Sequence, residues 1–401
     1  MSASRRVFLQ STAAIAALAP AGCSALGANE RLNIGLIGAG GRCRHLMRSL
    51  GQIENVRIGA LCDVYEPNID LARPLADKQA VTFANHRELL DRKDIDAVLI
   101  ATPDHWHAPI TLDAMAAGKH VYVEKPLTHK PNEARALREA QTRHRGIVVQ
   151  VGTQQRSMPH IQRARELVRE GRLGTTIKVH LTWNRNTDRV RRGPQNVDAQ
   201  KLDWKRFLGN APDQPFDDYK FRNWRWFWDF GNGILGDLMV HWIDVAHWIL
   251  DLDHPLRAVT IGNHVTAQGV WQTPDTIQTL LQYPNNLQVH FEGTFGNARN
   301  ASMIEFMGSE ATLYVDRGRF ELIPEARSKQ KPEEMILGQG PRGRDFYERP
   351  DGERLHLENW LAAIRNNRTP NAPIEAGIRG AAAAHLGNEA FRQNKVADWK
   401  D

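Results

Sequence analysis

Cysteine is scarce in this 401-residue chain, which holds only three. They are Cys23, Cys43 and Cys62, and the first lies in a segment that resembles a leader. A framework of several disulfides is therefore excluded, and stability must come from ordinary packing. The sequence contains no CxxC pair and no Cys/His cluster, so it predicts no metal site.

Long blocks of one charge and long apolar runs are also missing. The formal net charge is +6, but the basic residues are spread out, with only a mildly basic stretch at 185–192. This distribution argues against a nucleic-acid partner. The apolar run at 11–19 is far shorter than the roughly 20 residues that span a bilayer, so no membrane span is predicted.

The N-terminus instead carries an export pattern. SRRVFLQ (4–10) precedes that weakly apolar run, as in twin-arginine signals, and small residues that suit cleavage follow. We predict that 1–30 is a signal peptide and that the protein is exported to the periplasm. Lipid attachment at Cys23 is the weaker alternative, because Pro20 stands where that motif prefers Leu or Val.

Short apolar runs alternate with helix-patterned segments up to residue 155. The runs predict strands at Leu32–Ile37, Val56–Leu61, Ala97–Ala101, His120–Val123 and Ile147–Val151. The segments between them predict helices, including Ile69–Lys78, His107–Ala117 and Asn132–Thr142. This alternation predicts an α/β fold with a parallel sheet, and we assign 31–155 to a Rossmann dinucleotide-binding domain.

A glycine-rich loop closes the first predicted strand. Its glycines let the backbone turn tightly and approach a pyrophosphate at the start of the next helix. The loop glycines are Gly38, Gly40 and Gly41. Cys43 replaces the third glycine of the usual pattern, which predicts looser packing of the helix on the strand.

The end of the second predicted strand bears on the choice of cofactor. Asp63 lies at about the ~20-residue offset where an acid binds the ribose 2′-hydroxyl group. An acid there repels a 2′-phosphate, so NAD is favoured over NADP. Arg42 leaves NADP open, because a nearby arginine can accommodate that phosphate.

Three more polar segments follow predicted strands, where ligands of open α/β sheets bind. They are ATPDHWH (101–107), VYVEKP (121–126) and QVGTQQR (150–156). Further along the chain, Asp237 and His241 recur at helical spacing after a glycine-rich stretch. Such an aspartate can orient the imidazole and support the imidazolium cation. From this helix alone, a buried His–Asp pair without any catalytic role is an equally good interpretation.

Together these segments resemble the family of glucose–fructose oxidoreductase and inositol dehydrogenase, the Gfo/Idh/MocA family. The resemblance covers essentially the whole chain after the leader. It extends to RLHLENW (354–360) and AHLGN (384–388), which are similar to exported members of the family. It implies that Lys125, Asp237 and His241 form the proton-transfer site, with Asp237 orienting His241. The cofactor contacts that we assign besides the glycine loop and Asp63 are Arg42, Thr102, Pro103, His107, Glu124 and Gln154.

The second half of the chain predicts a different domain, which we place at 156–401. A helix at Ile161–Glu170 is followed by strand-like runs that predict a mostly antiparallel, open sheet of the α+β class. The runs are Thr176–Trp183, Arg257–Gly262, Ile277–Gln282, Leu287–Phe291, Met303–Met307 and Thr312–Val315. The resemblance implies that this sheet caps the substrate and that its open face makes homo-oligomer contacts. The charged segment Glu325–Arg349 predicts a loop.

Aromatic and polar residues of this domain are candidates for substrate contact. The aromatic segment Phe221–Phe230 could stack on sugar faces, but an alternating aromatic strand packs a core more often. The polar neighbours of Trp183 favour a position in a pocket. The substrate contacts that we assign are Arg156, Asn184, Arg185 and Trp224.

The resulting prediction is an NAD(P)-dependent oxidoreductase that acts on a CH–OH group of a sugar, polyol or glycoside. Export of a folded protein implies a tightly held cofactor that is recycled within the site. A redox-neutral glycoside hydrolase or lyase, which works through a keto-sugar intermediate, is one alternative. A non-catalytic carbohydrate-binding protein is the other.

Overall fold

The structure is a computed structural model that describes residues 31–344 and 351–400. The predicted signal peptide and Cys23 lie outside the described residues. No helix in the described ranges is both long and apolar enough to cross a membrane.

The first half of the chain forms a six-stranded parallel sheet. Its strands are β1 (Leu32–Ile37), β2 (Val56–Cys62), β3 (Val81–Phe83), β4 (Ala97–Ile100), β5 (His120–Val123) and β6 (Val149–Val151). Its helices are α1 (Gly41–Leu50), α2 (Glu66–Ala72), α3 (His86–Leu90), α4 (His107–Ala116) and α5 (Glu133–Arg143). The order β3-β2-β1-β4-β5-β6 reverses direction between β1 and β4. This doubly wound topology places a ligand crevice at the carboxyl ends of β1 and β4.

The Rossmann prediction is therefore confirmed, with local differences. β3 was missed, because it has only three residues and none of them is buried. The helix predicted at Ile69–Lys78 begins earlier, at Glu66, and a 3₁₀ turn at Arg73–Leu75 ends it. Cys43 is fully buried in the cluster that also holds Leu36 and Leu46, so the expected loosening of α1 on the sheet was wrong.

The second half forms a nine-stranded sheet with helices on one face. The elements are α6 (Pro159–Arg169), β7 (Thr176–Asn184), α7 (Trp204–Leu208), α8 (Asp218–Arg222), α9 (Val240–Leu250), β8 (Arg257–Asn263), β9 (Thr276–Gln282), β10 (Gln288–Thr294), β11 (Ser302–Gly308), β12 (Ala311–Val315), β13 (Arg319–Pro324), β14 (Glu333–Ile336), α10 (Gly352–Arg365), α11 (Ile374–Gln393) and β15 (Ala397–Asp398). The strand order is β14-β13-β12-β11-β7-β10-β9-β8-β15. Only the β7–β10 pair is parallel, so the prediction of a mostly antiparallel sheet is confirmed.

Helices α6, α9 and α11 cover one face of this sheet. On the other face, apolar side chains such as Ile261, Leu280 and Ile323 are exposed. This sheet is therefore open, as predicted. The expectation that its open face joins copies of the chain stays a prediction.

Two local predictions in the second half were wrong. The charged segment predicted as a loop contains β14, which pairs with β13, while 345–349 lies outside the described residues. The aromatic segment Phe221–Phe230 is not a strand: it holds the end of α8 and a 3₁₀ turn at Trp224–Trp226. Its rings nevertheless pack in the core, because Trp226, Phe227 and Phe230 are buried there without regular backbone pairing.

The helix α10 joins the first sheet, although it lies late in the chain. The Trp360 and Tyr122 rings meet edge to face at 5.6 Å, and Leu357 and Leu361 belong to the same buried cluster as α1. The division between domains at residue 155 stays a prediction. In the structure, however, 352–365 packs with the part that precedes this division.

Candidate active site

Two cavities adjoin the carboxyl ends of the parallel strands. The first cavity, of about 300 Å³, is lined by the glycine loop, Asp63, Thr102 and Pro103. The second cavity, of about 250 Å³, is lined by Lys125, Asp237 and His241. Thr102 and Arg42 line both cavities, so the two adjoin at the end of β4.

The glycine loop has the shape that a pyrophosphate needs. Gly38 has a φ of +88°, and a Cβ atom there would lie 2.7 Å from the backbone nitrogen of Thr102. Only glycine allows this turn and this approach to the end of β4. A Cβ atom at Gly40 or Gly41 would meet nothing within 4 Å. The N-terminus of α1 thus opens onto free space, where its N–H groups can bind phosphate oxygens.

Asp63 lies where an adenine-side ribose is expected. Its carboxylate accepts hydrogen bonds from the Tyr65 backbone N–H (2.8 Å) and from Asn68 Nδ2 (3.2 Å). Burial raises the pKa of Asp63 to about 6, and the hydrogen bonds oppose this rise. The group is therefore mostly ionised at neutral pH and can accept from ribose hydroxyl groups.

The arginine beside Asp63 differs from the one that the sequence suggested. Arg42 turns away to buried carboxylates, with its Nε 2.8 Å from Glu124 and its Nη1 3.2 Å from Glu353. Arg44 lines the first cavity together with Asp63, and its Nη1 donates to the Ala39 carbonyl at 2.7 Å. The interpretation of Arg42 as a partner for a 2′-phosphate was therefore wrong, because its charge is taken up by Glu124 and Glu353.

Glu124 and His107 serve to hold the strand ends in place. Burial alone would raise the pKa of Glu124, but Arg42 and Lys125 outweigh it and keep this pKa below its ordinary value. The ring nitrogens of His107 lie 2.7 Å from the Pro126 carbonyl oxygen and 2.9 Å from the Thr102 carbonyl oxygen, and a neutral imidazole donates to one of the two. His107 thus contacts the backbone of both segments that follow β4 and β5.

Two predicted cofactor contacts carry buried polar atoms that have no hydrogen-bond partner in the described structure. They are the hydroxyl of Thr102 and the side-chain oxygen of Gln154. A buried polar atom without a hydrogen bond costs free energy, so we expect both atoms to form hydrogen bonds with a polar ligand. Thr102 lines both cavities and Gln154 lines the second, so a dinucleotide bound by the glycine loop and Asp63 in the first cavity can extend toward both of these atoms.

The centre of the second cavity is a lysine–aspartate pair. Lys125 Nζ donates to the carboxylate of Asp237 at 2.9 Å and to its backbone carbonyl at 2.7 Å. Burial alone would raise the pKa of Asp237, but Lys125 and Arg225 hold it below its ordinary value. Since an ammonium group has three N–H donors, one donor of Lys125 is left to face the cavity.

The histidine of this site is held by stacking. The His241 ring lies on the Trp183 ring with centroids 4.9 Å apart and planes 25° apart. Burial, and then the nearby charges of Lys125 and Arg317, keep the pKa of His241 well below its ordinary value. The imidazole is therefore neutral at pH 7, as a proton acceptor must be.

The predicted orientation of His241 by Asp237 was wrong. Within the described residues, Nδ1 of His241 has no hydrogen-bond partner, and Asp237 bonds Lys125 and Arg225 instead. Asp237 lies in a π-helical turn, Leu235–Met239, just before α9. The wider turn breaks the regular spacing on which the sequence argument relied, and an ammonium is a stronger partner for a carboxylate than a neutral imidazole.

Two of the four assigned substrate contacts lie away from the cavity. Arg156 is buried in a bidentate ion pair with Asp244 at 2.7 and 2.8 Å, and both residues belong to the predicted second domain. Asn184 bonds Glu292 and the Arg299 carbonyl. These two assignments were wrong, because each polar group already has strong partners. Arg185 and Trp224 do line the second cavity.

Several site residues were missed by sequence reasoning. Asp104 lines the second cavity, and burial raises its pKa to about 8, although Lys125 and Arg225 act against this rise. Asp104 stands within the ATPDHWH segment, so its position after β4 was a signal. The other missed residues come from separate loops and helices, and only Arg189 stood in a stretch that the sequence marked, the mildly basic one at 185–192. They are Arg189, Arg225, Arg317 and Glu353.

The fold agrees with comparisons with known proteins. Residues 32–153 match the model described as "Oxidoreductase family, NAD-binding Rossmann fold", and 161–314 match the Gfo/Idh/MocA C-terminal domain. The chain therefore belongs to the Gfo/Idh/MocA oxidoreductase family, and its first sheet is an NAD-binding Rossmann fold.

Three comparisons show how similar this chain is to characterised or solved relatives. Levoglucosan dehydrogenase of Pseudarthrobacter phenanthrenivorans is 29% identical over 72% of this chain and 75% of its own length. Glycosyl hydrolase family 109 protein 1 of Shewanella sp. (strain ANA-3) is 41% identical, but the match spans only 24% of this chain and 23% of that protein. Among solved structures, levoglucosan dehydrogenase in complex with NADH and levoglucosan superposes with a TM-score of 0.71 at 19% identity, over 93% of this chain and all of that one. The last comparison supports the fold.

Proposed function

We propose that the protein is an NAD-dependent oxidoreductase that removes hydride from a CH–OH group of a sugar, polyol or glycoside. The observation that carries this proposal is the convergence of Lys125, Asp237 and His241 in a cavity that adjoins the dinucleotide loop. A pure binding protein has no need for a lysine and a neutral histidine beside a nicotinamide. The similarity to levoglucosan dehydrogenase supports a carbohydrate substrate.

Each residue of the site has a distinct task in this reaction. The nicotinamide ring, when bound, supplies the hydride acceptor. Lys125 directs its remaining N–H donor at the substrate oxygen and stabilises the negative charge that develops there. Asp237 fixes the ammonium by two contacts, so this donor needs no rearrangement. The neutral His241 accepts the hydroxyl proton.

A redox-neutral cleavage of glycosides is the second candidate. The segment shared with glycosyl hydrolase family 109 protein 1 favours it, at 41% identity over 106 residues. In such a reaction a hydroxyl group is oxidised, and the ketone acidifies the neighbouring C–H bond. The C–H proton is removed and the glycosidic group leaves as its alcohol, which gives an unsaturated ketone. In a hydrolase, water adds to the double bond before the hydride taken up in the first step reduces the ketone again. The same two groups, Lys125 as the stabilising donor and His241 as the proton carrier, would serve its oxidation and reduction steps.

One experiment separates these candidates. Freshly purified full-length protein is mixed with monosaccharides, polyols and glycosides, and absorbance of reduced nicotinamide is followed in a single turnover. Mass spectrometry identifies the cofactor released by denaturation. Reduction that persists without aglycone release supports the oxidoreductase, whereas transient reduction with aglycone release supports the redox-neutral reaction. If no member of the panel reduces the bound cofactor, both candidates fail and the binding protein remains.

We also propose that the folded protein is exported to the periplasm by the twin-arginine route with its cofactor bound. The motif at 4–10 and the weakly apolar run behind it support this proposal. Replacing Arg5 and Arg6 by lysine should retain the protein in the cytoplasm, as measured by fractionation and immunoblotting. Unchanged amounts in the periplasm would contradict the route.

Asp63 is expected to set the preference for NAD. Asp63→Ala removes an acceptor for ribose hydroxyl groups and a charge that repels a 2′-phosphate, while Arg44 remains beside the cavity. NAD binding should weaken by about 10- to 100-fold, as expected for hydrogen bonds to a charged group. NADP binding should weaken less or improve.

Titration of the cofactor-free protein with NAD and NADP measures this change. Asp70→Ala is the matched control, because Asp70 is exposed on the neighbouring α2. If the ratio of the two dissociation constants is the same in Asp63→Ala and in the unmodified protein, the assignment of Asp63 is incorrect.

A further inference from the structure

A segment from the second half of the chain lines part of the first cavity. We call residues 198–226 the strap, which holds α7, α8 and the 3₁₀ turn at Trp224–Trp226. The residues of the strap that line the first cavity are Arg206, Phe207, Phe221, Arg222, Trp224 and Arg225. The rest of the lining comes from the first half of the chain and includes the glycine loop and Asp63. A dinucleotide bound in this cavity therefore contacts both halves of the chain.

The strap is attached to the segment that follows β2, next to Asp63. The Asp203 N–H donates to the Val64 carbonyl at 2.9 Å, and the Asp198 N–H donates to the Tyr65 hydroxyl at 3.3 Å. The rings of Tyr65 and Phe221 meet edge to face with their centroids 5.3 Å apart. Tyr65 is buried but lines neither cavity, so its side chain holds the strap without reaching the cofactor site.

A second attachment joins the strap to the segment that follows β4. The Phe207 carbonyl accepts a hydrogen bond from Trp106 Nε1 at 2.9 Å and lies 2.8 Å from His105 Nε2. Gly209 has a φ of +57°, and a Cβ atom there would clash with the Trp106 ring, so the strap backbone passes directly against this indole. Strands β2 and β4 flank β1, whose carboxyl end carries the glycine loop. The two attachments therefore place the strap across the crevice where a dinucleotide binds.

The last residues of the strap reach the reacting groups. Trp224 and Arg225 line both cavities. Arg225 Nε lies 3.3 Å from the carboxylate of Asp237, which also bonds Lys125. The strap thus extends from the expected ribose site at Asp63 to the cavity where the nicotinamide would meet its substrate.

We propose that the strap encloses the bound cofactor and that NAD enters and leaves only when the strap detaches from Tyr65 and Trp106. This inference rests on the cofactor site of the proposed function and goes beyond the reaction, since it states how the cofactor is retained between turnovers. Opening the strap breaks both attachments together and exposes the buried rings of Phe207 and Phe221 to water. The open state is therefore costly, and exchange of the cofactor is slow.

Exchange of the bound nucleotide tests this proposal without requiring a substrate. Full-length protein loaded with NADH is mixed rapidly with a large excess of NAD, and the loss of energy transfer from tryptophan to NADH gives the dissociation rate. Mixing cofactor-free protein with NADH gives the association rate. Because the strap must open for passage in either direction, variants that weaken its attachment should raise both rates.

Two substitutions weaken the attachment at residues that line neither cavity. Tyr65→Ala removes the ring contact with Phe221 and the acceptor for the Asp198 N–H, and should raise both rates about 10-fold or more. Asp203→Ala removes the carboxylate that accepts from the Arg206 N–H at the start of α7, and should raise them about 5-fold. Since Asp203 is only half-buried, this second variant keeps the test decisive if Tyr65→Ala does not fold.

Asp77→Ala is the matched control for Asp203→Ala. The Asp77 carboxylate also accepts a backbone N–H, that of Gln79 at 2.9 Å, but it lies outside the strap and lines neither cavity. Both exchange rates should stay at their original values in this variant. Thermal unfolding checks that each variant is folded.

The proposal is overturned if the folded strap variants exchange NADH at the original rates, or if only their dissociation rate rises. A rise in dissociation alone would mean that contacts with the cofactor were lost, and not that the strap opens more easily. Failure of the proposal is distinct from failure of the proposed function. Unchanged exchange together with reduction of the cofactor by a sugar leaves the oxidoreductase intact and removes only this inference. Faster exchange in both directions without any reduction by the sugar panel does the reverse.

Discussion

Replacing Lys125 or His241 by alanine is expected to slow reduction of the bound cofactor by about 100- to 10,000-fold, the usual contribution of a positioned acid or base. Lys125→Ala removes the donor that stabilises the developing alkoxide, and His241→Ala removes the proton acceptor. The two groups act on the same O–H bond. The double variant should therefore lose much less than the product of the two single effects.

The contacts of Asp237 predict a different effect of its substitution on cofactor reduction from the one that its helical spacing suggested. Asp237 bonds Lys125 and makes no hydrogen bond to His241 in the described structure. Asp237→Asn should therefore resemble Lys125→Ala, and combining the two should add little. Combining Asp237→Asn with His241→Ala should cost more than either change alone.

Single-turnover absorbance with the best substrate of the panel measures these rates. Arg135→Gln serves as a control for substitution of a surface cation, and thermal unfolding checks that each variant is folded. Folded Lys125→Ala and His241→Ala proteins that reduce the cofactor at the original rate would exclude this cavity as the reaction site.

The free energy of unfolding is expected to fall steeply between pH 6.5 and pH 4. Burial lowers the pKa of several histidines far below the value of about 6.5 that they have in an unfolded chain. The lowered pKa is about 3 for His105, His247 and His385 and about 4 for His129 and His356. In this window the unfolded chain binds protons that the folded protein does not. Each of these histidines therefore lowers the free energy of unfolding by roughly 1.4 kcal/mol for each unit by which the pH falls.

Two carboxyl groups act in the opposite direction. The pKa values of Asp63 and Asp104 are raised by burial to about 6 and about 8, so the folded protein binds their protons first and gains stability as the pH falls. These two groups offset about two of the five histidines. A net loss on the order of 4 kcal/mol per pH unit remains, which is large against a typical total of roughly 5–15 kcal/mol.

Urea denaturation followed by tryptophan fluorescence at pH 7.5, 6.5 and 5.5 measures this dependence at a fixed NAD concentration. His385→Asn removes one titrating group and should flatten the pH dependence by about one proton, whatever its effect on absolute stability. A free energy of unfolding that stays constant down to pH 5.5 would contradict the expectation.

Local sequence patterns were sufficient to predict several strands of this protein and its glycine loop. Strands β1, β4 and β5 were predicted to within one residue at either end, because each is a short apolar run bounded by polar or glycine-rich turns. The glycine loop and Asp63 were also identified correctly as neighbours, since a parallel sheet brings the ends of β1 and β2 to the same edge. Pattern and spacing suffice wherever the decisive contacts lie within one βαβ unit.

The partners of charged side chains were decided only by the tertiary structure. Asp237 is four residues from His241 but bonds Lys125, which is 112 residues away, because the π-helical turn redirects the carboxylate. Arg156 was assigned to substrate and is instead neutralised by Asp244, whereas Arg317 carried no signal and lines the cavity. Which ion pairs form depends on which side chains become buried together, and burial is a property of the assembled core that neither spacing nor composition contains.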